Sequence, residues 1–305
     1  MTAAGSENRV FMLRGVLMVL LATLMFACMD GVNKHLVGHY STIQILWVRY
    51  VFFLGFALLV ARRRGVRTVL QTQRLGLQLG RSLLLIVEKA AFVVAWSYLS
   101  LADTHAIAAV SPLLVTLFAG LLLKERVGLH RALAVGTGFA GVLLIIRPGV
   151  GSLSAVAVIP LTAAALFAAY QLMTRVASRS DEADTSLLYS GLVGALVLSL
   201  IGPFDWRPPT PVDWGLLLIV ALIGAGAHFA LIKALKFAPA SALQPFSYSL
   251  FLWAVLVGFI GFGDLPDLWT VTGGIIIIAS GLYVISRERA AKALVDNPDR
   301  VRDPD

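Results

Sequence analysis

Charged residues are scarce in this 305-residue sequence, and cysteine is almost absent. Charged side chains make up 14% of the chain and hydrophobic ones 58%, and the mean hydropathy is +0.85. Soluble domains are typically about 25% charged and about 45–50% apolar. These figures exclude an ordinary soluble domain and favour an integral membrane protein. The single cysteine, Cys28, excludes an intrachain disulfide and a cysteine-rich metal site.

Motifs for nucleotide binding and catalysis are missing or stand in the wrong context. The chain has no GxxxxGK[ST] sequence, which excludes a P-loop ATPase, and no HExxH sequence. Gly136–Gly141 fits GxGxxG, but no predicted strand precedes it, so close helix packing through small residues explains it better. Gly261–Asp264 fits the GxGD of intramembrane aspartyl proteases, but their Tyr-Asp pair is absent, so we interpret Asp264 as a loop residue. We therefore expect no enzyme, no cofactor and no metal site.

Ten apolar runs fill nearly the whole chain and leave no room for a soluble domain. Each run approaches the roughly 20 residues that a helix needs to cross a bilayer. Charged or turn-forming segments separate them, and the charged tail, residues 287–305, is expected to be disordered. The predicted spans are residues 13–33, 43–61, 82–101, 105–123, 131–147, 154–174, 186–203, 214–235, 240–262 and 268–286.

The distribution of Lys and Arg predicts the orientation of these spans in the membrane. With the N-terminus inside, three of the 25 basic residues lie outside, namely Lys34, Arg147 and Arg207. Arg49 and Lys89 lie within spans, and the other 20, including Arg81, lie on the inner side. We expect a multi-pass protein of the cell inner membrane, in contact with the lipid bilayer, with both termini cytoplasmic. The net charge of +8 therefore indicates membrane orientation and not a nucleic-acid partner.

The two halves of the sequence resemble each other. Sliding the chain by 136 residues places SYLSLADTHAIAAVSP on KALKFAPASALQPFSY, where these pairs coincide: Leu99 with Leu235, Ala102 with Ala238, Ala106 with Ala242, and Ser111 with Ser247. The repeats are predicted at residues 13–147 and 154–286, followed by the tail. Because each holds five spans, an odd number, the second must be inverted relative to the first. Inverted repeats are typical of alternating-access transporters.

This layout resembles the drug/metabolite transporter superfamily, and in particular its EamA-type family. The resemblance lies in RPG at 147–149, APASALQPFSY at 238–248 and GDLPDLWTVTGGIIIIASGLY at 263–283. It implies an all-α integral membrane protein with ten transmembrane helices in two inverted five-helix repeats. It also implies secondary active transport of a small polar or amphipathic metabolite by alternating access. FACMDGVNKHL and ILWVRY look like the branch with bacterial riboflavin and S-adenosylmethionine uptake proteins, and amino acids are another substrate class of the superfamily.

Two adjacent charges, Glu88 and Lys89, stand in the middle of the third predicted span. An ionisable group at bilayer depth costs about 2.5–3.5 kcal/mol on insertion scales. The pair either lines a substrate or ion pathway, or each charge is neutralised on another helix and fixes the bundle. The matching positions of the second half are Gly224 and Ala225, so the pair is an asymmetric addition to the repeat. That asymmetry favours a role in the protein's own transport reaction.

Three further ionisable residues, Asp30, Arg49 and His228, fall inside predicted spans. The planar guanidinium of Arg49 suits a carboxylate, so it either binds an acidic group of the substrate or pairs with Asp30 or Glu88. Asp30 is either an acid at the membrane interface or an entrance or proton site. His228 is either a packing residue or a proton carrier.

Helix-breaking residues stand at corresponding places in the two halves. Pro112 follows Ser111 in the fourth span, and Pro245 precedes Tyr248 in the ninth. Paired interruptions of this kind indicate a binding site, with kinks for packing as the alternative. The surrounding polar candidates are His105, Tyr170, Gln171, Gln244 and Tyr248, while Trp96 and Trp253 either stack on a heterocyclic substrate or fill the core.

The fifth and tenth spans contain Gly and aliphatic residues without internal charge. We expect them at the periphery, where a homodimer could form. A membrane channel and an intramembrane enzyme are the alternatives to a transporter. An enzyme would need a catalytic pair, and the only acids at depth are Asp30 and Glu88.

Overall fold

The computed structural model describes residues 3–122, 129–147, 153–177, 179–237, 243 and 246–296, and the described residues form helices and turns without a strand. The helices are α1 (Ala3–Val37), α2 (Thr42–Arg62), α3 (Val66–Val69), α4 (Leu75–Trp96), α5 (Leu101–Ala108), α6 (Ser111–Leu122), α7 (Leu129–Ile146), α8 (Leu153–Val156), α9 (Val158–Ala177), α10 (Ala183–Ile201), α11 (Pro211–Phe237), α12 (Ser249–Phe262) and α13 (Leu268–Asp296). The expected all-helical class is thereby confirmed.

Helix lengths support a membrane protein without establishing ten spans. Three helical segments are long and apolar enough to cross a bilayer, at Met12–Val37, Thr42–Arg62 and Ala183–Asp205, and six shorter apolar helices accompany them in the described chain. The helix α4 carries Arg81, Glu88 and Lys89, which lowers its hydropathy. The number of ten spans therefore stays a prediction.

Two helix boundaries differ from the sequence prediction. Helix α4 begins at Leu75 and not at residue 82, which brings Arg81 into the helix. Helix α13 continues to Asp296, so the expectation of a disordered tail is wrong for residues 287–296. The added stretch, RERAAKALVD, contains mostly Ala, Arg, Lys, Leu and Glu, which have high helix propensity.

The predicted interruption of the fourth span is confirmed. Helix α5 ends at Ala108, and α6 begins at Ser111, directly before Pro112. The hydroxyl of Ser111 donates a hydrogen bond to the carbonyl of Ala108 at 2.7 Å, which satisfies an acceptor exposed by the break. Near the corresponding place in the second half, Tyr248 is a turn residue and α12 begins at Ser249, while Pro245 lies outside the described residues.

Helix packing relates the two halves of the chain. The most extensive contacts join α1 with α11, α4 with α9, α7 with α13, and α2 with α10. Exchanging α1 with α9, α2 with α10, α4 with α11, and α7 with α13 leaves this set of four pairs unchanged. The contact pattern is the one expected when two equivalent five-helix units face each other.

Glycines allow the close approach of α7 and α13. A Cβ on Gly141 would lie 2.8 Å from the carbonyl oxygen of Gly273, and one on Gly273 would lie 2.6 Å from that of Gly141. The interpretation of the GxGxxG segment as a helix-packing surface is thereby confirmed. The homodimer expected at this pair of helices stays a prediction.

Polar bonds tie the connections together at each end of the bundle. At one end, here called the Asp264 end, Lys34 pairs with Asp264 and Arg147 pairs with Asp267. At the other, the Asp181 end, Arg64 pairs with Glu182 through two hydrogen bonds. The 21 residues of α2 separate the two ends by about 30 Å. Lys34 also lies 4.7 Å from the ring of Phe262. Asp264 lies between the end of α12 and the start of α13, so it is a loop residue as expected.

Candidate substrate site

Glu88 and Lys89 pair with each other. The Oε1 atom of Glu88 lies 3.2 Å from Nζ of Lys89, and the Glu88 side chain is 1% exposed. Its second oxygen, Oε2, is buried without a hydrogen-bond partner. The ammonium of Lys89 also lies 5.7 Å from the ring centres of Phe92 and Phe167. Among the described side chains neither charge lies within ion-pair distance of a charge on another helix. The role of the pair, in a transport pathway or in fixing the bundle, stays a prediction.

A small cavity of about 30 Å³ opens beside Lys89, between α2 and α4. It is lined by Arg49, Tyr50, Phe53, Leu85 and Lys89. No described carboxylate lies within 4.0 Å of Arg49, so the expected pairing with Asp30 or Glu88 is not formed. The cavity therefore brings two predicted cations together, and Glu88 interacts electrostatically with Arg49 without lying within ion-pair distance of it.

Asp30 is buried beside His105 of α5. Nε2 of His105 lies 3.2 Å from Oδ2 of Asp30, within ion-pair distance although the angles are not those of a hydrogen bond. The two residues are each 7% exposed, so the interpretation of Asp30 as an interfacial acid is wrong. The His105 ring stacks on Phe92 at 6.1 Å and lies 6.5 Å from the ring of Trp96. Trp96 is thus part of an aromatic group around a buried polar pair.

Several buried polar atoms near these residues have no hydrogen-bond partner in the described chain. They are both amide atoms of Asn33, Nε1 of Trp96 and Oε2 of Glu88. An unsatisfied buried donor or acceptor costs about 1–3 kcal/mol. Asn33 lies one helical turn from Asp30 on α1, so these atoms line the same region as the charges. A bound polar ligand or water would satisfy them.

Arg81, placed in an inner loop by the sequence analysis, is buried within α4 and 2% exposed. Its guanidinium donates to Thr174 Oγ1, Gln78 Oε1, the carbonyl of Ser186 and the hydroxyl of Tyr170, at 2.9–3.0 Å. All four acceptors are neutral. Hydropathy alone does not place this residue in a helix, because LGLQLGRS is less apolar than the run that follows. The apolar run continues upstream of residue 82, as a series of leucines indicates: Leu75, Leu77, Leu79 and Leu83.

The other predicted site residues are less closely connected to these charges. Ser111 makes its bond across the α5–α6 break, and Gln171 is half-buried on α9. Tyr248 is buried and its hydroxyl packs against Gly281 of α13. His228 belongs to α11, but its side chain lies outside the described part of the structure, as does the whole of Gln244.

A pair of histidines stands at the Asp264 end, apart from the buried charges. His35 and His39 form a His-x-x-x-His pair with ring centres 5.2 Å apart at the end of α1. No group of three His, Cys, Asp or Glu residues suited to a metal ion occurs in the described ranges.

A larger cavity, about 370 Å³, lies at the Asp181 end and not beside Glu88. Thr72 and Gln78 donate hydrogen bonds to Asp181 there, at 2.5 and 2.7 Å. Partial burial raises the pKa of Asp181, but these hydrogen bonds outweigh it and hold the pKa below its ordinary value. The cavity is lined by Arg64, Thr68, Val69, Gln71, Thr72, Gln73, Ser180, Asp181, Glu182 and Thr185.

A bundle of apolar helices with ionisable side chains buried at its centre is typical of a multi-pass membrane transport protein. Residues 13–147 and 154–287 both match the model of the EamA-like transporter family. The chain therefore belongs to the EamA-like transporter family, within the drug/metabolite transporter superfamily.

Several characterised relatives are similar over most of their length. The riboflavin transporter of Vibrio cholerae is 31% identical, covering 90% of this chain and 94% of that protein. The S-adenosylmethionine uptake transporter of Rickettsia prowazekii is 25% identical, with 91% and 94% covered. The pseudopaline exporter of Pseudomonas aeruginosa is 26% identical, with 87% and 94% covered. A crystal structure that is 17% identical has the same fold, with a TM-score of 0.58 over 94% of this chain and 99% of that one.

The family and these relatives are transporters and not enzymes. The chain is accordingly a membrane transporter with a small-molecule substrate. The intramembrane enzyme considered from the sequence is set aside on this ground.

Proposed function

We propose that this protein is a secondary active transporter that moves a small polar or amphipathic metabolite across the inner membrane by alternating access. The buried Glu88–Lys89 pair, beside Arg49 and the Asp30–His105 pair, is the observation that carries the proposal. Charges at this depth in a membrane bundle are expensive, and transport pathways are where they are usually found. The chain has no P-loop, so an ion or solute gradient supplies the energy.

The proposed topology has ten spans in two inverted repeats, with both termini cytoplasmic. Described bonds between connections always join ends that this topology places on the same side: Lys34 with Asp264 and Arg147 with Asp267 outside, Arg64 with Glu182 inside. The excess of Lys and Arg on the inner side supports the orientation. A reporter fused to the C-terminus should give a cytoplasmic signal, and one fused after Arg207 an external signal. The reverse pattern would contradict the orientation.

The proposed substrates resemble riboflavin, S-adenosylmethionine or an amino acid. Two of these are molecules that relatives carry, and each contains a heterocycle with polar groups. The aromatic rings of Phe92 and Trp96 beside the buried polar atoms would suit stacking on a heterocycle.

In the proposed cycle the two halves rock about the central charges. At the Asp264 end, Leu101 lies close to Gly31 and Gly258 and Lys34 pairs with Asp264, so we propose this end as the closed one. Opening to the outside requires these contacts to separate, while the α7–α13 and α2–α10 contacts serve as the axis.

Reconstitution into liposomes tests the proposal. Purified protein should give saturable uptake of at least one of riboflavin, S-adenosylmethionine, amino acids or nucleosides, accelerated by unlabelled substrate inside the liposome. Protein-free liposomes are the control. A flux that rises linearly with concentration and shows no exchange would replace the transporter by a channel.

A further inference from the structure

Positive charge is in excess around the cavity between α2 and α4. Arg49 and Lys89 line it from two helices, and Glu88 is the one described carboxylate within ion-pair distance of either. Asp30 is engaged by His105. Arg81 is held by neutral acceptors alone. A low-dielectric site with more cations than anions holds uncompensated positive charge, which is costly to bury. Binding of an anion would compensate that charge.

The arrangement of the three cations follows from helix geometry. Arg81, Leu85 and Lys89 are four residues apart and share one face of α4. Leu85 and Lys89 line the cavity, and Arg49 lines it from α2. Tyr170 connects the lower part of this face with α9, because its ring lies 5.1 Å from the Arg81 guanidinium. The face thus runs from the cavity towards the Asp181 end.

We propose that the cavity between α2 and α4 binds a carboxylate or phosphate group of the transported molecule, held between the guanidinium of Arg49 and the ammonium of Lys89. Arg49 offers a planar pair of N–H donors that fits two oxygens of either group. Lys89 is 26% exposed, so its ammonium can reach an anion and remain beside Glu88.

The size of the cavity limits what it can hold. About 30 Å³ accommodates a water molecule or a carboxylate-sized group and not a whole metabolite. The rest of the substrate must therefore lie towards the neighbouring polar and aromatic side chains, namely Phe92, Trp96, Asn33 and His105. These lie around the Asp30 pair, which would receive a cationic or hydrogen-bonding part of the molecule. The substrate class that results is an anion or a zwitterion with an aromatic or heterocyclic part.

This inference rests on the proposed function, because it assigns part of the same pathway. Its chemistry can be examined with pairs of ligands that differ in one anionic group. S-adenosylmethionine and its decarboxylated form test the carboxylate, and riboflavin 5′-phosphate and riboflavin test the phosphate. Equilibrium binding to the protein in phosphatidylcholine nanodiscs measures affinity without transport.

We expect the anionic member of at least one pair to bind tenfold more tightly or better. Arg49→Gln should reduce that preference to about twofold or less and leave the affinity of the anion-free member unchanged. Arg62→Gln, the same change at an exposed position on the same helix, is the matched control and should keep the preference. Thermal unfolding of both variants shows that they remain folded.

Equal affinity within both pairs, failure of every ligand to bind, or a preference that survives Arg49→Gln would overturn the anion site. Saturable uptake of a neutral substrate together with equal affinities would leave transport standing and remove this inference alone. Binding of the anionic members without any flux would support the anion site and contradict the proposed transport.

Discussion

At the scale of single residues, two buried acids each lie beside one basic side chain: Glu88 beside Lys89 of the same helix, and Asp30 beside His105 of α5. A hydrophobic run that contains Glu88, Lys89, Asp30 or Arg49 identifies buried charge from composition alone. The partner of Glu88 is the next residue, Lys89, but the partner of Asp30 depends on which helices become neighbours, and sequence spacing does not contain that information. His105 became the partner of Asp30 because α5 packs beside α1, which only the folded chain shows.

Removal of one member of the Glu88–Lys89 pair should be worse than removal of both. Lys89→Met leaves a buried carboxylate without its cation, and breaking a buried pair costs about 3–5 kcal/mol. We expect Glu88→Gln and Lys89→Met each to abolish transport while the protein still inserts. In detergent, Lys89→Met should unfold at a lower temperature than the Glu88→Gln/Lys89→Met double variant.

Uptake assays and thermal unfolding measure these effects. Glu182→Gln, a change of an exposed acid at the Asp181 end, is the control and should retain transport. Normal uptake by both single variants would show that the pair has only a structural role.

Asp181 gives the stability of the Asp181 end a dependence on acid pH. Its folded-state pKa is lowered by hydrogen bonds from Gln78 and Thr72, although burial opposes them. A lowered pKa adds stability that is fully present above the unfolded value, about 3.9, and is lost as pH falls through the folded value. The wild-type unfolding temperature should therefore drop below about pH 4, and Asp181→Asn should flatten that drop. Asp205→Asn, at an exposed acid, should leave it unchanged; identical acid profiles for wild type and Asp181→Asn would refute the assignment.

At the scale of helices, apolar runs predicted most elements but not their ends. The beginning of α4 was missed because alternating Leu and Gly or Gln residues dilute its hydropathy, although Gln78 and Arg81 within it are buried and α4 packs against α9 and α10. The continuation of α13 was missed because a charged segment beyond the bilayer resembles a solvated tail. Pro112, in contrast, marked its interruption correctly, since proline lacks the N–H that a continuous helix needs.

The α7–α13 contact should tolerate a methyl group at one glycine and not at another. A Cβ on Gly141 would lie 2.8 Å from the Gly273 carbonyl oxygen, whereas one on Gly136 meets nothing within 4 Å. We expect Gly141→Ala to destabilise the protein by about 1–3 kcal/mol through overpacking. Gly136→Ala should be neutral or stabilising by up to about 1 kcal/mol, because alanine has the higher helix propensity. Chemical unfolding in detergent compares the two, and equal effects would mean that α7 and α13 do not pack in this way.

At the scale of the whole molecule, the repeat could be predicted from a shift of 136 residues, and the packing pairs agree with it. The sequence could not indicate which connections are bonded to each other at the ends of the bundle. These bonds join connections far apart in the chain, such as Lys34 with Asp264, 230 residues apart.

The Lys34–Asp264 pair should control the closure of the Asp264 end. Lys34→Asp places two acids together there, so the closed conformation should be disfavoured and the transport rate reduced by several-fold. The double exchange Lys34→Asp/Asp264→Lys restores opposite charges and should recover most of the rate. Uptake by the two variants under identical conditions makes the comparison, and a double variant no better than the single one would exclude the pair as a closing contact.

The continuity of α13 has a mechanical consequence. Its 29 residues measure about 43 Å along the axis, longer than the roughly 30 Å of hydrocarbon in a bilayer. Ten residues beyond Ser286 would therefore stand out as a stiff stalk of about 15 Å, rich in alternating charge. Any protein joined to that stalk would rotate and tilt with α13, so its motion would report the movement of the second half directly.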